Sequence, residues 1–116
     1  MFVEEAVKKS YQRASETGNV YLVTQNFPAF KGHFEGRPIL PAVCQLSFCV
    51  DSVSRHLKKE MQVAVVKRAK FINPILPGTS LEVRLEKRAD GYWLGELTDL
   101  QTKKKFSQII LRFSER

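Results

Sequence analysis

The chain has 116 residues, is 43% hydrophobic and carries a formal net charge of +7, which bounds it to one globular domain with a modest apolar core and a basic surface. No apolar run approaches the ~20 residues needed to span a bilayer. The Met-Phe-Val-Glu-Glu start lacks a basic segment leading into an apolar one, so no signal peptide is expected and the chain reads as cytoplasmic.

In chain order, Phe2, Val3, Ala6, Val7, Tyr11 and Ala14 fit a helical stripe, whereas Thr17-Gly18-Asn19 resembles a hairpin turn feeding a β-rich run at residues 20–24. A short helix and a pair of strands both fit this segment. A loop dense in Gly and Pro follows, up to Pro41, which suits the first turn of a helix. From there Val43, Leu46, Val50, Val53 and Leu57 recur at helical spacing, widened by Phe48 and Cys49. A helix of about five turns, apolar around most of its circumference, must be largely buried. Four strand-like runs complete the chain, at residues 63–71, 80–87, 92–98 and 106–113. Pro74, Pro77-Gly78, Asp90-Gly91 and the turn at residues 99–102 punctuate them. Strands, one long helix, then four antiparallel strands is an α+β order, and a sheet around a single central helix buries the apolar faces of both.

The two cysteines, Cys44 and Cys49, share that helix and lie ~140° apart around its axis, so they cannot bridge there. They read as core residues. The only histidines are His33 and His56, and no spacing supports a metal site. His56 suits the helix C-terminus, where a cationic ring complements the dipole. The lysine clusters (Lys8-Lys9, Lys58-Lys59, Lys67-Arg68, Lys70, Lys103-Lys104-Lys105) would steer acidic partners, and also fit a merely solvated surface. No nucleic-acid-binding motif accompanies them.

Two segments carry the chemistry. The first is His33-Phe34-Glu35-Gly36-Arg37-Pro38-Ile39-Leu40-Pro41, running straight into the helix; the second is Phe71-Ile72-Asn73-Pro74-Ile75-Leu76-Pro77-Gly78. Together they resemble the 3-hydroxyacyl-[acyl-carrier-protein] dehydratases, and the loop shape looks closest to small single-domain members linked to polyene and lipid biosynthesis. The resemblance frames residues 20–88. It implies a hot-dog fold over residues 1–116 as a single domain, with an antiparallel sheet wrapped around one long central helix. It also favours two strands joined at Thr17-Gly18-Asn19, beginning at about Val7.

By the same resemblance, the protein is a homodimer with an acyl-phosphopantetheine tunnel at the subunit interface, and no cofactor of its own is needed. His33 is the catalytic histidine, which acts with an acidic residue on the partner's helix. Gly36 and Pro38 shape the loop, Phe34 and Pro41 belong to the substrate-binding segment, and Ala42 occupies the glycine whose N–H helps bind the thioester carbonyl. The acid should lie fourteen residues after the histidine, where this chain has Ser47. Glu35 stands in place of the usual proline.

The chemistry implied is proton removal from C2 of a 3-hydroxyacyl thioester and protonation of the hydroxyl leaving C3. A histidine suits the first task, and a helix N-terminus suits the developing oxyanion. Serine is no carboxylic acid, and losing a positioned general acid costs roughly 10²–10⁴-fold. Asp51, one helical turn beyond Ser47, and Glu35, two residues from His33, are the replacement candidates, although either carboxylate also fits a solvated position.

Three functions fit: a dehydratase of 3-hydroxyacyl thioesters on acyl carrier protein or coenzyme A; a catalytically impaired acyl-binding subunit, forming a heterodimer with a homologue that supplies the acid; and a hot-dog thioesterase in which Asp51 or Glu35 activates water. Lys31 and Arg37 flank the histidine and suit phosphate contacts to either carrier. Ser47 as a nucleophile has no nucleophile-elbow context.

Overall fold

In a computed structural model, residues 3–30 and 38–116 are described. The N-terminal ambiguity resolves into both alternatives. Val3–Ser10 form helix α1, Tyr11–Ala14 strand β1 and Gly18–Val23 strand β2. Strands do not begin at Val7, as expected, because Val3 and Val7 are buried on one face of α1 at helical spacing, and the Ser10 hydroxyl bonds back to the Val7 carbonyl at 2.6 Å. The turn also shifts. Gly18 and Asn19 already belong to β2, and the chain reverses across residues 15–17. Gly18 is required where it stands, since a Cβ there would lie 2.0 Å from the Val83 carbonyl oxygen.

After a 3₁₀ turn at Pro28–Phe30 come helix α2 (Ala42–Leu57) and strands β3 (Met61–Phe71), β4 (Thr79–Lys87), β5 (Trp93–Asp99) and β6 (Lys105–Glu115). All six strands form one sheet in the order β1-β2-β4-β5-β6-β3, every pairing antiparallel. The β4–β5 hairpin turns through Gly91 at φ +86°, where a residue with a side chain would be strained. The β5–β6 turn is held by Asp99, whose Oδ1 accepts from the N–H groups of Gln101 and Thr102. Two register shifts along the β3–β6 ladder bend this side of the sheet.

Helix α2 starts at an extended Pro41 whose carbonyl accepts from Cys44 N–H and Gln45 N–H. It ends at Lys58 in the left-handed region (φ 56°), with the Lys58 N–H returning to Ser54. His56 is exposed beside this end and meets Trp93 edge-on at 6.1 Å.

The buried face of α2 differs from the expected stripe. Cys44, Gln45, Phe48, Cys49, Ser52 and Val53 are buried, whereas Val43 is 65% exposed, Leu57 is 37% exposed, and Leu46 and Val50 are half-buried. A helix apolar around most of its circumference offers two candidate faces, and the sheet took the one bearing Phe48. The Phe48 ring packs edge-on against Tyr21 (5.0 Å) and stacks on Phe27 (5.8 Å). Both cysteines are free and buried, and burial pushes the Cys49 thiol up to about 12.

Candidate functional site

The two sequence motifs are physically joined. Leu40 N–H donates to the Ile75 carbonyl at 2.9 Å, tying the end of the histidine motif to the middle of the second motif, and both residues are buried. The second motif is anchored further where Ile72 and Asn73 N–H groups meet the Phe106 carbonyl, and Gly78 N–H donates to Val23 O at 2.6 Å. Gly78 has φ +87°, so the turn into β4 depends on glycine. Phe71, Ile72 and Leu76 remain 43–50% exposed around this junction.

Of the residues assigned from sequence, His33, Phe34, Glu35 and Gly36, together with Lys31 and Arg37, lie outside the described residues. Pro41, Ala42, Ser47 and Asp51 are on the page. Pro41 stands at the N-cap, one position before the first turn. Ala42 opens the helix and is exposed, so its N–H belongs to the unbonded first turn that an anion or carbonyl oxygen can approach.

Ser47 and Asp51 both line a groove of about 320 Å³ between α1, the outward face of α2 and the start of β3. Val7, Val43, Leu46, Val50, Met61 and Val63 make most of its wall apolar. Ser47 is half-buried, and its only hydrogen bond among the described residues is a long one, 3.4 Å, back to the Val43 carbonyl.

Asp51 is 8% exposed and, among the described residues, is engaged on one side only. Its Oδ2 accepts from the Tyr21 hydroxyl at 2.6 Å and from Arg55 Nε at 2.6 Å. The Arg55 guanidinium lies 3.7 Å above the Tyr11 ring centre, and Tyr11 meets Tyr21 edge-on at 5.6 Å. Burial first, and the bond to Asp51 second, push the Tyr21 phenol far above its ordinary value, so it stays protonated and donating. Desolvation opposes the charge on Arg55, yet the hydrogen bond to Asp51, the attraction of that carboxylate and the contributions of Tyr21 together outweigh it, and the guanidinium's pKa is raised.

Tyr11, Tyr21 and Arg55 were not singled out from the sequence. One signal was there: Asp51 and Arg55 are four apart on a helix, the spacing of a favourable ion pair. Nothing in the sequence pairs Tyr21, thirty residues upstream, with Asp51. Oδ2 of Asp51 thus accepts two hydrogen bonds, which brace the carboxylate between β2 and the last turns of α2.

Among the described residues no group of three His, Cys, Asp or Glu side chains could hold a metal ion, and no helix is long and apolar enough to cross a membrane.

The family profile of ApeI-like proteins, described as ApeI dehydratase, matches residues 9–109. A 3-hydroxyacyl-[acyl-carrier-protein] dehydratase FabZ from Roseobacter denitrificans is 39% identical over 72 residues, covering 54% of this chain and 47% of that protein. The FabZ of Chloroflexus aggregans is 34% identical over 84 residues, covering 65% and 58%. The chain thus spans about half the length of the curated relatives it matches.

Among solved structures, the dehydratase heterocomplex ApeI:P from Xenorhabdus doucetiae superposes with a TM-score of 0.67 at 17% identity, covering 90% of this chain and 94% of that one. An uncharacterized protein from Erwinia carotovora subsp. atroseptica gives 0.68 at 24% identity, covering 91% and 90%. These two likenesses establish the fold. With a profile match running from the end of α1 into β6, across both motifs, the chain belongs to the ApeI-like dehydratase family and has the hot-dog fold.

Proposed function

We propose that this protein is a 3-hydroxyacyl-carrier-protein dehydratase-like enzyme, a cytoplasmic hydro-lyase that reversibly converts 3-hydroxyacyl thioesters to 2-enoyl thioesters in fatty-acid or polyene-type lipid biosynthesis. The observation that carries this reading is the groove on the outward face of α2. Val7, Val43, Leu46, Val50, Met61 and Val63 give it the apolar wall an acyl chain requires, and its polar lining includes Ser47, fourteen residues after His33, and Asp51 one turn further on, with charged residues such as Glu4, Lys8 and Arg116 around them.

In this reading His33 removes the C2 proton. The first-turn N–H of Ala42 stabilises the enolate-like oxygen, a kind of interaction often worth ~3–4 kcal/mol. The substrate arrives on phosphopantetheine of an acyl carrier protein or coenzyme A, and the enzyme needs no cofactor of its own. An acidic carrier suits the net charge of +7. It also suits the lysines of the β5–β6 turn, which sit beside the second motif through the Asn73 side-chain amide bonded to the Lys105 carbonyl at 2.8 Å. The exposed face of α2 and the edge strand β3 fit a second subunit that closes the groove, as in a homodimer.

Ser47 favours one further reading. The chain would then be an impaired, acyl-binding subunit that pairs with a homologous dehydratase carrying the acid. Following the ultraviolet absorbance of an enoyl thioester during hydration separates the two. Turnover by the wild type that disappears in His33→Ala is expected. An inert wild type that gains activity as Ser47→Asp would overturn the enzymatic reading in favour of the binding subunit.

A further inference from the structure

The side of the sheet turned away from α2 is divided in charge. On β6, Ile109 and Leu111 are buried, so Gln108, Ile110 and Arg112 point outward, and the ladder sets Lys70, Arg68 and Val65 beside them on β3. Lys67 lies on the same side, since its Nζ stands 4.8 Å from the centre of the Tyr92 ring, which the Arg112 guanidinium approaches at 5.4 Å. Arg88, in the β4–β5 connection, joins them through Asp90, whose Oδ2 lies 3.1 Å from Arg88 and 4.0 Å from Lys67. Arg68, Lys70 and Arg112 pair with no carboxylate among the described residues.

The other half of this face is balanced. Arg13 and Glu82 share a row across β1, β2 and β4, and Arg84 on β4 meets Glu96 on β5 at 3.2 Å. The positive half therefore stands out by location as well as by sign, with only Asp90 and, at its margin, Glu96 to offset it. Like charges gathered on adjoining strands repel one another, and an anionic surface relieves that repulsion.

This patch is an open face, and none of its cations lines the α2 groove. Half-buried Val65, Leu94, Ile110 and Tyr92 lie among the charges. Lysine and arginine stems lie along apolar surface while their heads reach phosphates, and tyrosine favours the depth of lipid headgroups. A bilayer surface requires charge and area but no matching contour, which is what this face offers. Pairing of a second copy along the free edge of β3 would use backbone groups and leave Arg68 and Lys70 exposed, so that two such faces adjoin.

We propose that this face, through Lys67, Arg68, Lys70, Arg88 and Arg112, docks the protein peripherally on bilayers that contain anionic phospholipid. The proposal goes beyond the dehydratase-like reading and does not rest on it.

The test is co-sedimentation with vesicles of phosphatidylcholine alone or mixed equally with phosphatidylglycerol. The wild type should pellet with the mixed vesicles only, and salt of about 1 M, which shortens the screening length to about 3 Å, should release it. Each cation near an anionic surface contributes about fivefold in affinity, so Lys67→Gln, Arg68→Gln and Lys70→Gln combined should weaken binding on the order of a hundredfold. A control with the same net charge, Lys9→Gln, Lys58→Gln and Lys59→Gln combined, should keep most of the affinity, because those lysines lie on α1 and at the end of α2.

Absence of wild-type binding to the mixed vesicles, or equal binding to both kinds, would overturn the proposal. So would equal losses in the two triple variants, which would assign the effect to net charge alone. If an acidic carrier protein binds the wild type and only the first triple loses it, with vesicle affinity unchanged, the face belongs to a protein partner and the proposal is overturned. Arg68→Gln with Lys70→Gln, which breaks no ion pair among the described residues, keeps the test decisive if the triple variant misfolds, with an expected loss on the order of 25-fold.

Discussion

The two sides of helix α2 are made of similar residues and have opposite fates. Towards the sheet, Cys44, Phe48, Cys49 and Val53 are fully buried. Towards the outside, Val43, Leu46 and Val50 are as apolar, yet they are left half-buried or exposed along a groove that also holds Ser47 and Asp51. The first side is a core. The second is apolar surface with polar groups placed in it, which is the composition of a binding wall or a subunit contact. Hydrophobicity of a helix therefore does not say how many of its faces serve folding; only the location of the sheet does.

The largest break in this comparison is Phe48→Ala. It should cost about 3–5 kcal/mol by removing a ring packed against Tyr21 and Phe27. Val43→Ser on the opposite face should stay within about 0.5 kcal/mol for the isolated chain, since Val43 is mostly exposed already. Thermal melts of the two variants measure the asymmetry directly. Equal shifts would mean that the outward face is folded into a core after all.

An intermediate effect belongs to the Asp51 contacts that straddle the two sides. Asp51→Ala strands the buried Tyr21 hydroxyl and removes the Arg55 partner, for a loss of about 2 kcal/mol, moderated because Arg55 is partly solvated. Tyr21→Phe should cost about 1 kcal/mol. The double variant should cost less than the sum of the two, and a denaturant double-mutant cycle reads that coupling.

The smallest effect is a control placed away from the helix, on the sheet. Glu96 accepts from Gln108 at 2.9 Å and pairs with Lys105 and Arg84, and these contacts, Gln108 first, hold its carboxyl below the usual carboxylate range. A depressed folded value means the stabilisation is present above the unfolded pKa, ~4.3, and fades as pH falls through the folded value. Glu96→Gln should therefore cost about 0.5–1 kcal/mol at pH 7, and the gap to the wild type should close at strongly acidic pH. Urea midpoints at pH 7 and pH 3 check it.

Much of the architecture was legible in the chain. The four C-terminal strands lie within two residues of the runs marked by β-rich composition, because Asp90-Gly91, Pro77-Gly78 and the Asp99 turn leave few places for the strand ends. The N-terminal segment was not legible. Its residues satisfy both periods, and the competition was settled by Val3 and Val7, whose burial requires the face that only a helix presents.

The site divides in the same way. The sequence by itself carried the resemblance to the dehydratases, in the residues from His33 to Pro41 and on to Ser47, since loop glycines, prolines and a helix start are local properties. It also fixed the absence of an acid at position 47. The tertiary structure decided which side of α2 would be core, joined Leu40 to Ile75, and brought Tyr21 from β2 to Asp51. Those are contacts between residues thirty or more apart, and they depend on how a curved sheet meets a helix, which no local pattern records.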